Sequence, residues 1–236
     1  MKILILTTIT SHHNFFVHKI YEQFKNITLI VENESLKSKY STFHEFEVLR
    51  DRYEKNLWNK LINIPLGDIC KKLYISQNIN DKKNIDILNT SEFDVCIVFG
   101  TSKIKDQLLN ILPLNTYNLH GGDPQFYRGL DSHLWSIWYE DINGLKVCLH
   151  RVDKILDNGD IFQLEKINIH LIKNLYQLRS VNTEMCVKLS LNLLKSIKNK
   201  KNLKLVPQAK IGKYYSFMTS EKKNQCLAKF NNLKNI

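Results

Sequence analysis

The chain reads as an α/β fold, a mostly parallel sheet flanked by helices and followed by a short C-terminal extension. Three observations predict it. Ile3-Leu4-Ile5-Leu6, directly after Met1-Lys2, and Val95-Cys96-Ile97-Val98-Phe99, directly before Gly100, are apolar runs of the length of strands buried on both faces. Each is followed by apolar residues at helical spacing: Phe16, Ile20 and Phe24 after the first, Ile104, Leu108, Leu109 and Leu112 after the second. Strand patterns then return, and strand–helix–strand order is what a parallel sheet requires.

In order, Lys2 to Thr8 predicts the first strand. Thr8-Ile9-Thr10-Ser11 offers side-chain oxygens to cap a helix starting near His12-His13, and Ile27 to Val31 completes a βαβ opening. Glu34 to Lys60 is charged and irregular at first, until Phe46, Leu49, Tyr53 and Leu57 mark an amphipathic helix. Pro65 and Gly67 interrupt the chain. Leu73 to Ile75 predicts a short strand, and Ile79 to Leu88 a helix. The helix after Phe99 stops at Pro113. The next strand delivers Asn118 and His120, whose spacing of two points both side chains the same way. A helical segment around Trp135 and Trp138 precedes a strand from Lys146 to Val152. The longest helical pattern, Leu175 through Ile197, places Leu178, Val181, Met185, Leu189, Leu193 and Ile197 on one stripe, which predicts packing against the sheet. Residues 1–205 form one domain in this reading. Residues 206–236 form an extension holding Gly212-Lys213-Tyr214-Tyr215-Ser216-Phe217-Met218 and a helix at Glu221 to Phe230.

The 236 residues suit one α/β domain, and 43% hydrophobic with 24% charged residues is globular composition. No apolar run approaches the ~20 residues of a membrane span, and the opening run lacks a signal peptide's cleavage region. The five cysteines (Cys70, Cys96, Cys148, Cys186, Cys226) are odd in number and lack CxxC spacing. They predict free thiols and a reduced, cytoplasmic compartment. Thirty-four Lys and Arg against 23 Asp and Glu give a net charge of +11. The lysines are scattered among Asn and Ile, as in Lys195-Ser196-Ile197-Lys198-Asn199-Lys200-Lys201, which is the pattern of a solvated face. Neither a nucleic acid nor a membrane is an expected partner.

The residues that carry chemistry lie between Phe93 and Gln163. Asn118-Leu119-His120 comes first, then Gly121-Gly122, where a ligand can approach the backbone closely. Tyr127-Arg128-Gly129 follows, and then His150-Arg151-Val152-Asp153-Lys154-Ile155-Leu156-Asp157-Asn158-Gly159-Asp160. Asn-x-His alone arises by chance in many chains, and Asp157-Asn158-Gly159 alone reads as a turn. In this order, and preceded by Ile111-Leu112-Pro113, these residues resemble the formyltransferases that use 10-formyltetrahydrofolate. That group includes glycinamide ribonucleotide formyltransferase, methionyl-tRNA formyltransferase and the amino-sugar N-formyltransferases.

The resemblance implies a Rossmann-like formyltransferase fold and a catalytic trio of Asn118, His120 and Asp157. It also implies attack of a primary amine on the formyl carbon. The Asn118 amide would donate to the oxyanion, a contact typically worth ~3 kcal/mol. His120 would carry the amine proton. Asp157 would orient His120 and favour its imidazolium, or order a relay water. No metal is expected, because the leaving nitrogen needs only a proton. By position, Phe99, Gly100, Thr101, Ser102, Lys103 and Ile104 would hold the folate's pterin, with Lys154, Ile155 and Leu156 in the loop that closes over it. His12, His13, Gly121, Gly122, Tyr127 and Arg128 fall where the acceptor binds. His12 and His13 are equally readable as surface histidines, and Arg128 either pairs with a phosphate or braces its loop. His133 and His150 show no metal-ligand spacing with His120, and His150 reads as a structural strand-end residue.

Two departures bear on the acceptor. His120 is followed by Gly121-Gly122-Asp123-Pro124-Gln125 where the family usually has Pro-Ser-Leu-Leu-Pro. The first βα turn, Thr8 to His13, has no glycine to admit a phosphate. The sequence also leaves no room for a tRNA-binding C-terminal domain or for the regulatory N-terminal domain of formyltetrahydrofolate hydrolases. The expectation is therefore formylation of a dTDP-, UDP- or GDP-linked amino deoxysugar, for O-antigen or other surface polysaccharide assembly. A nucleotide sugar is the expected partner, and the aromatic tail (Tyr214, Tyr215, Phe217) offers a homodimer contact. The alternatives are a formyltransferase for glycinamide ribonucleotide or another small amine, and a folate-binding module without catalysis.

Overall fold

A computed structural model describes residues 1–34 and 36–234. Its strands in chain order are β1 (Ile3–Thr7), β2 (Ile27–Glu32), β3 (Lys72–Ser76), β4 (Val95–Phe99), β5 (Thr116–His120), β6 (Tyr127–Gly129), β7 (Lys146–Arg151), β8 (Ile161–Lys166) and β9 (Lys213–Tyr215). Seven of them form one sheet in the order β3-β2-β1-β4-β5-β7-β8, and β6 pairs with β9 in a small second sheet. The first five strands of the main sheet run parallel; β7 is antiparallel to β5, and β8 to β7.

Alternation along β1 explains the layering. Ile3 and Ile5 face one core, Leu4 and Leu6 the other, and all four are fully buried. Covering such an aliphatic side chain contributes roughly 1.5–3 kcal/mol, so a strand apolar on both faces is stable only between two helical layers. The helices Ser11–Gln23 and Leu178–Lys198 cover the first face, and Lys82–Asn89 with the turn Asp106–Leu109 covers the second.

Several elements differ from expectation. The segment ending at Pro113 is a single helical turn, Asp106–Leu109, yet Ile104, Leu108 and Leu112 are all buried in the second core. The helix Glu45–Leu57 forms where predicted, but with another face inward. Leu49 and Leu57 are exposed, whereas Phe46 and Glu54 are buried. The cause is electrostatic: Glu54, fully buried, meets Arg179 from the helix Leu178–Lys198, 2.8 Å from its Nε and 2.6 Å from its Nη2. β8 was not expected, because its half-buried residues carry no continuous apolar run.

The tail folds back along the domain. Val206 bridges Ile161 of β8, β9 joins β6, and the helix Ser220–Leu233 packs beside Ser132–Trp138. The Tyr215 ring lies 5.0 Å from that of Trp135, and the Phe217 carbonyl accepts from the Tyr40 hydroxyl at 2.6 Å. Tyr215 and Phe217 thus have partners within their own chain. Among the described residues no helix is long and apolar enough to cross a membrane. All five cysteines are free thiols.

Candidate active site

Register and one unusual backbone conformation assemble the site. Asn118 and His120 sit at the C-terminal end of β5, beside Gly100 after β4. The antiparallel pairing of β7 sets His150 opposite Asn118. After β7 the chain turns, and Asp157 adopts a left-handed conformation (φ 52°). A carboxylate in such a turn can point back at the sheet it has just left. Asp157 Oδ2 accepts from the Gly129 N–H at 2.9 Å, and its Oδ1 accepts from Asn118 Nδ2 at 3.2 Å. His120 Nδ1 lies 3.6 Å from Oδ2, and His150 Nε2 lies 3.6 Å from Oδ1. Burial pushes the Asp157 carboxyl up, but the facing His120 and His150 rings and the Gly129 N–H together hold it well below the usual carboxylate range. It therefore stays ionised at neutral pH.

The tautomer of His120 follows from a backbone atom. Its Nε2 is 2.7 Å from the Tyr127 carbonyl, which can only accept, so Nε2 carries a hydrogen and donates it. Nδ1, facing Asp157 beyond hydrogen-bond distance, is the atom left to take up and release a proton. In the same way His150 donates from Nδ1 to the Arg151 carbonyl at 2.7 Å, and its Nε2 faces Asn118 Nδ2 at 3.3 Å.

Two cavities meet at these residues. The larger, about 650 Å³, is lined by Gly100 to Ile104, by Asn118, His120, His150, Asp153, Leu156 and Asp157, and by Lys37 to Tyr40 with Phe217. Its lining residue Ser102 is fixed by Glu32, which accepts from Ser102 N and Oγ at 2.6 Å and from Ile79 N at 2.8 Å. The second, about 320 Å³, is lined by His12, His13, Arg50, Phe99, Gly121, His133, Arg179 and Asn182. Gly100, Leu119, His120, Gly129 and Leu130 line both. Among the described residues no group of three or more His, Cys, Asp or Glu is placed to hold a metal ion.

No family model matches the chain. It is 36% identical over 101 residues to the bifunctional polymyxin resistance protein ArnA of Wigglesworthia glossinidia brevipalpis, a match covering 41% of this chain and 15% of that protein. It is 25% identical over 162 residues to the methionyl-tRNA formyltransferase of Kosmotoga olearia, covering 65% of this chain and 50% of that one. The chain thus spans half or less of the curated relatives it matches. Among solved structures, a sugar N-formyltransferase from a Shewanella species superposes with a TM-score of 0.58 at 15% identity, covering 98% of this chain and 88% of that one. The formyltransferase PseJ of Anoxybacillus kamchatkensis, in complex with UDP-4,6-dideoxy-4-formamido-L-AltNAc and tetrahydrofolate, gives 0.56 at 20% identity, covering 95% and 89%. This chain has the formyltransferase fold.

Within that fold, the expected site residues separate. Asn118, His120 and Asp157 converge. Gly100, Thr101, Ser102, Lys103, Ile104 and Leu156 line the larger cavity, but Phe99 lines the smaller one, and Lys154 and Ile155 line neither. Tyr127 contributes its backbone carbonyl; its hydroxyl is turned away, 3.0 Å from Asp141. Arg128 braces its loop, donating from Nε to Leu156 O at 2.8 Å and from Nη1 to Gly212 O at 3.3 Å. Gly121 lines the smaller cavity. Gly122 does not: a Cβ there would lie 2.9 Å from Ser132 Cβ and 3.3 Å from His120 Nε2, so its missing side chain makes room for protein rather than ligand.

His12 and His13 are buried, not surface residues. The Thr10 hydroxyl bonds His12 Nδ1 at 2.9 Å and His13 Nδ1 at 2.7 Å instead of capping the helix. Burial, then the neighbouring His13 and arginine charges, holds His12 well below its ordinary value. Burial and Arg179 lower His13 to about 3, and burial lowers His133 to about 4 despite its bond to the Lys146 carbonyl. All three rings bind protons more readily in the unfolded chain, so their contribution to stability is intact above about pH 6.5 and is lost as pH falls toward 4. Urea-unfolding free energy is expected to drop between pH ~7 and ~5 by roughly 1 kcal/mol or more for each of His13 and His133, and His13→Gln to flatten the profile. A pH-independent midpoint over that range would contradict this.

His150, His133 and Asn182 were not expected in the site. His133 Nε2 donates to the Lys146 carbonyl at 2.7 Å, which leaves Nδ1 as an acceptor. Asn182 Oδ1 is buried with no partner. A Cβ built on Gly121 would sit 3.4 Å from His133 Nδ1 and 3.5 Å from Asn182 Oδ1, so both acceptors border one corner of the smaller cavity. No sequence signal marked them, because that corner exists only once the helix Leu178–Lys198 is docked.

Proposed function

We propose that the protein transfers a formyl group from 10-formyltetrahydrofolate to the primary amine of a nucleotide-linked amino sugar. One observation carries the reading: two adjoining cavities open on the same histidine, room for the two substrates of a transfer. The larger has the volume of a small-molecule site and an aliphatic patch formed by Val98, Ile104, Val152 and Leu156, which suits a flat heterocycle. Bound there, 10-formyltetrahydrofolate would supply the formyl carbon. The smaller cavity holds the acceptor. The sugar-nucleotide complex of the PseJ structure supports that acceptor class.

The geometry supports the following roles for the protein. Asn182 Oδ1 and His133 Nδ1 accept hydrogens from the acceptor's hydroxyl or amine and orient it. His120 Nδ1, ionically supported by Asp157, receives the proton lost as the new N–C bond forms. It returns that proton to the folate nitrogen as the old bond breaks. The Asn118 amide exchanges one of its two long bonds, at 3.2 and 3.3 Å, for the oxyanion. A homodimer, a cytoplasmic location and a role in surface polysaccharide assembly accompany this reading as parts of the proposal.

The test is incubation with 10-formyltetrahydrofolate and dTDP-, UDP- and GDP-linked amino sugars, with mass spectrometry of the products. One sugar gaining a formyl group supports the reading. Turnover of glycinamide ribonucleotide alone would replace the acceptor, and folate binding without turnover of any amine would refute catalysis. Asn182→Leu is expected to raise KM for the sugar about 5- to 10-fold, the value of one buried hydrogen bond, with the KM for folate unchanged. Equal changes in both would remove Asn182 from the acceptor's corner.

A further inference from the structure

The catalytic loop is held by the far end of the chain. Asp157 is a non-glycine residue in the left-handed region, a conformation uncommon outside glycine that its surroundings must hold. Its side chain is held by Gly129 N and Asn118, but those bonds require the backbone to be in place already. The Gln208 Nε2 amide supplies the backbone hold. It donates to the Asp157 carbonyl at 3.0 Å and to the Gly159 carbonyl at 2.9 Å, so one group spans the turn.

Gln208 is itself fixed on both sides. Val206 exchanges two backbone bonds with Ile161, at 2.8 and 2.9 Å, which registers the segment against β8. Ala209 N donates to Gln125 Oε1 at 2.9 Å. At Gly212 a Cβ would lie 2.3 Å from the Pro124 carbonyl, so the segment is pressed against the 124–126 loop. The same 206–212 stretch meets Arg128, whose guanidinium joins Gly212 O to Leu156 O, the carbonyl just before Asp157. Three carbonyls around Asp157 thus take their donors from Gln208 and Arg128.

We propose that Gln208 is a positioning residue, which sets the left-handed turn at Asp157 and so aims its carboxylate at His120 and Asn118. This rests on the catalytic reading of Asp157. Gln208 touches neither cavity at the site, so its influence on turnover passes through the loop.

The test is a double-mutant cycle on the full chain with Gln208→Met, which keeps the length and loses the donor, and Asp157→Asn. Gln208→Met is expected to lower kcat about 10-fold or more with both KM values within a factor of two. In the Asp157→Asn background it is expected to change kcat less than two-fold. Equal losses in both backgrounds, or no loss in either, would overturn the proposal. Gln208→Glu, with wild-type circular dichroism as the criterion of folding, repeats the measurement should Gln208→Met fold poorly. A second readout does not need turnover: long-range ¹H–¹⁵N spectra of the His120 ring, titrated with pH. These should differ between wild type and Gln208→Met even if the protein proves to be a binder. Superimposable titrations would reject Gln208 as the residue that aims Asp157, whatever the reaction.

Discussion

His120→Ala is expected to lower kcat by about three orders of magnitude, within the 10²–10⁴-fold range of positioned proton transfer. The KM values should move little, because the walls of both cavities stay in place. Asp157 loses the imidazole that faces it in this variant, so its carboxyl should titrate closer to the ordinary carboxylate range. The sign follows: a group held low contributes stability above that range and loses it on acidification, so the variant should forfeit less stability between pH ~5 and ~3 than wild type does. The lost Nε2 bond to Tyr127 O should cost roughly 1 kcal/mol in addition. Steady-state kinetics with a formylated product as the readout decide the matter. Turnover within three-fold of wild type would leave His120 without a chemical role.

The second large effect concerns stability. Arg179→Met should destabilise the fold by about 3–5 kcal/mol, the range for breaking a buried ion pair by removing one partner. Glu54 is fully buried, and Arg179 gives it two bonds. A second carboxylate, Asp51, lies 2.5 Å from Nη2. For a chain of this size the loss corresponds to a fall in Tm of about 10 °C. Arg179→Met combined with Glu54→Leu should recover most of it, because two matched apolar side chains leave no orphaned charge. A loss below 1 kcal/mol for the single variant would mean that water reaches Glu54 and that the pair is not what turns the helix Glu45–Leu57.

That helix marks where sequence reasoning stopped. Its presence was legible from Phe46, Leu49, Tyr53 and Leu57, but its inward face was not. Apolar spacing has no way of anticipating a carboxylate whose partner lies 125 residues away. β1 and β4 were legible because a strand buried on both faces must be apolar throughout, whereas β8, half-buried, left no such trace. At the site, Asn118 and His120 were readable as neighbours on one strand, and Asp157 through its ordered place in the motif. His150 was assigned a structural role because only the antiparallel register of β5 and β7 reveals that it stands opposite Asn118. Arg128 illustrates the opposite case. Both of its readings were available from sequence, and only the placement of Leu156 O and Gly212 O selects the brace. Gln208 was invisible, as it acts on a backbone carbonyl 51 residues away.

The proposed transfer depends on two substrates approaching one imidazole from different sides. A crystal structure with 5-formyltetrahydrofolate and a nucleotide-linked amino sugar bound together tests this most directly. The prediction is folate against Gly100 to Ile104, the sugar amine beside Asn182, and His120 between them. Both ligands sharing one cavity, or a folate bound away from His120, would contradict it.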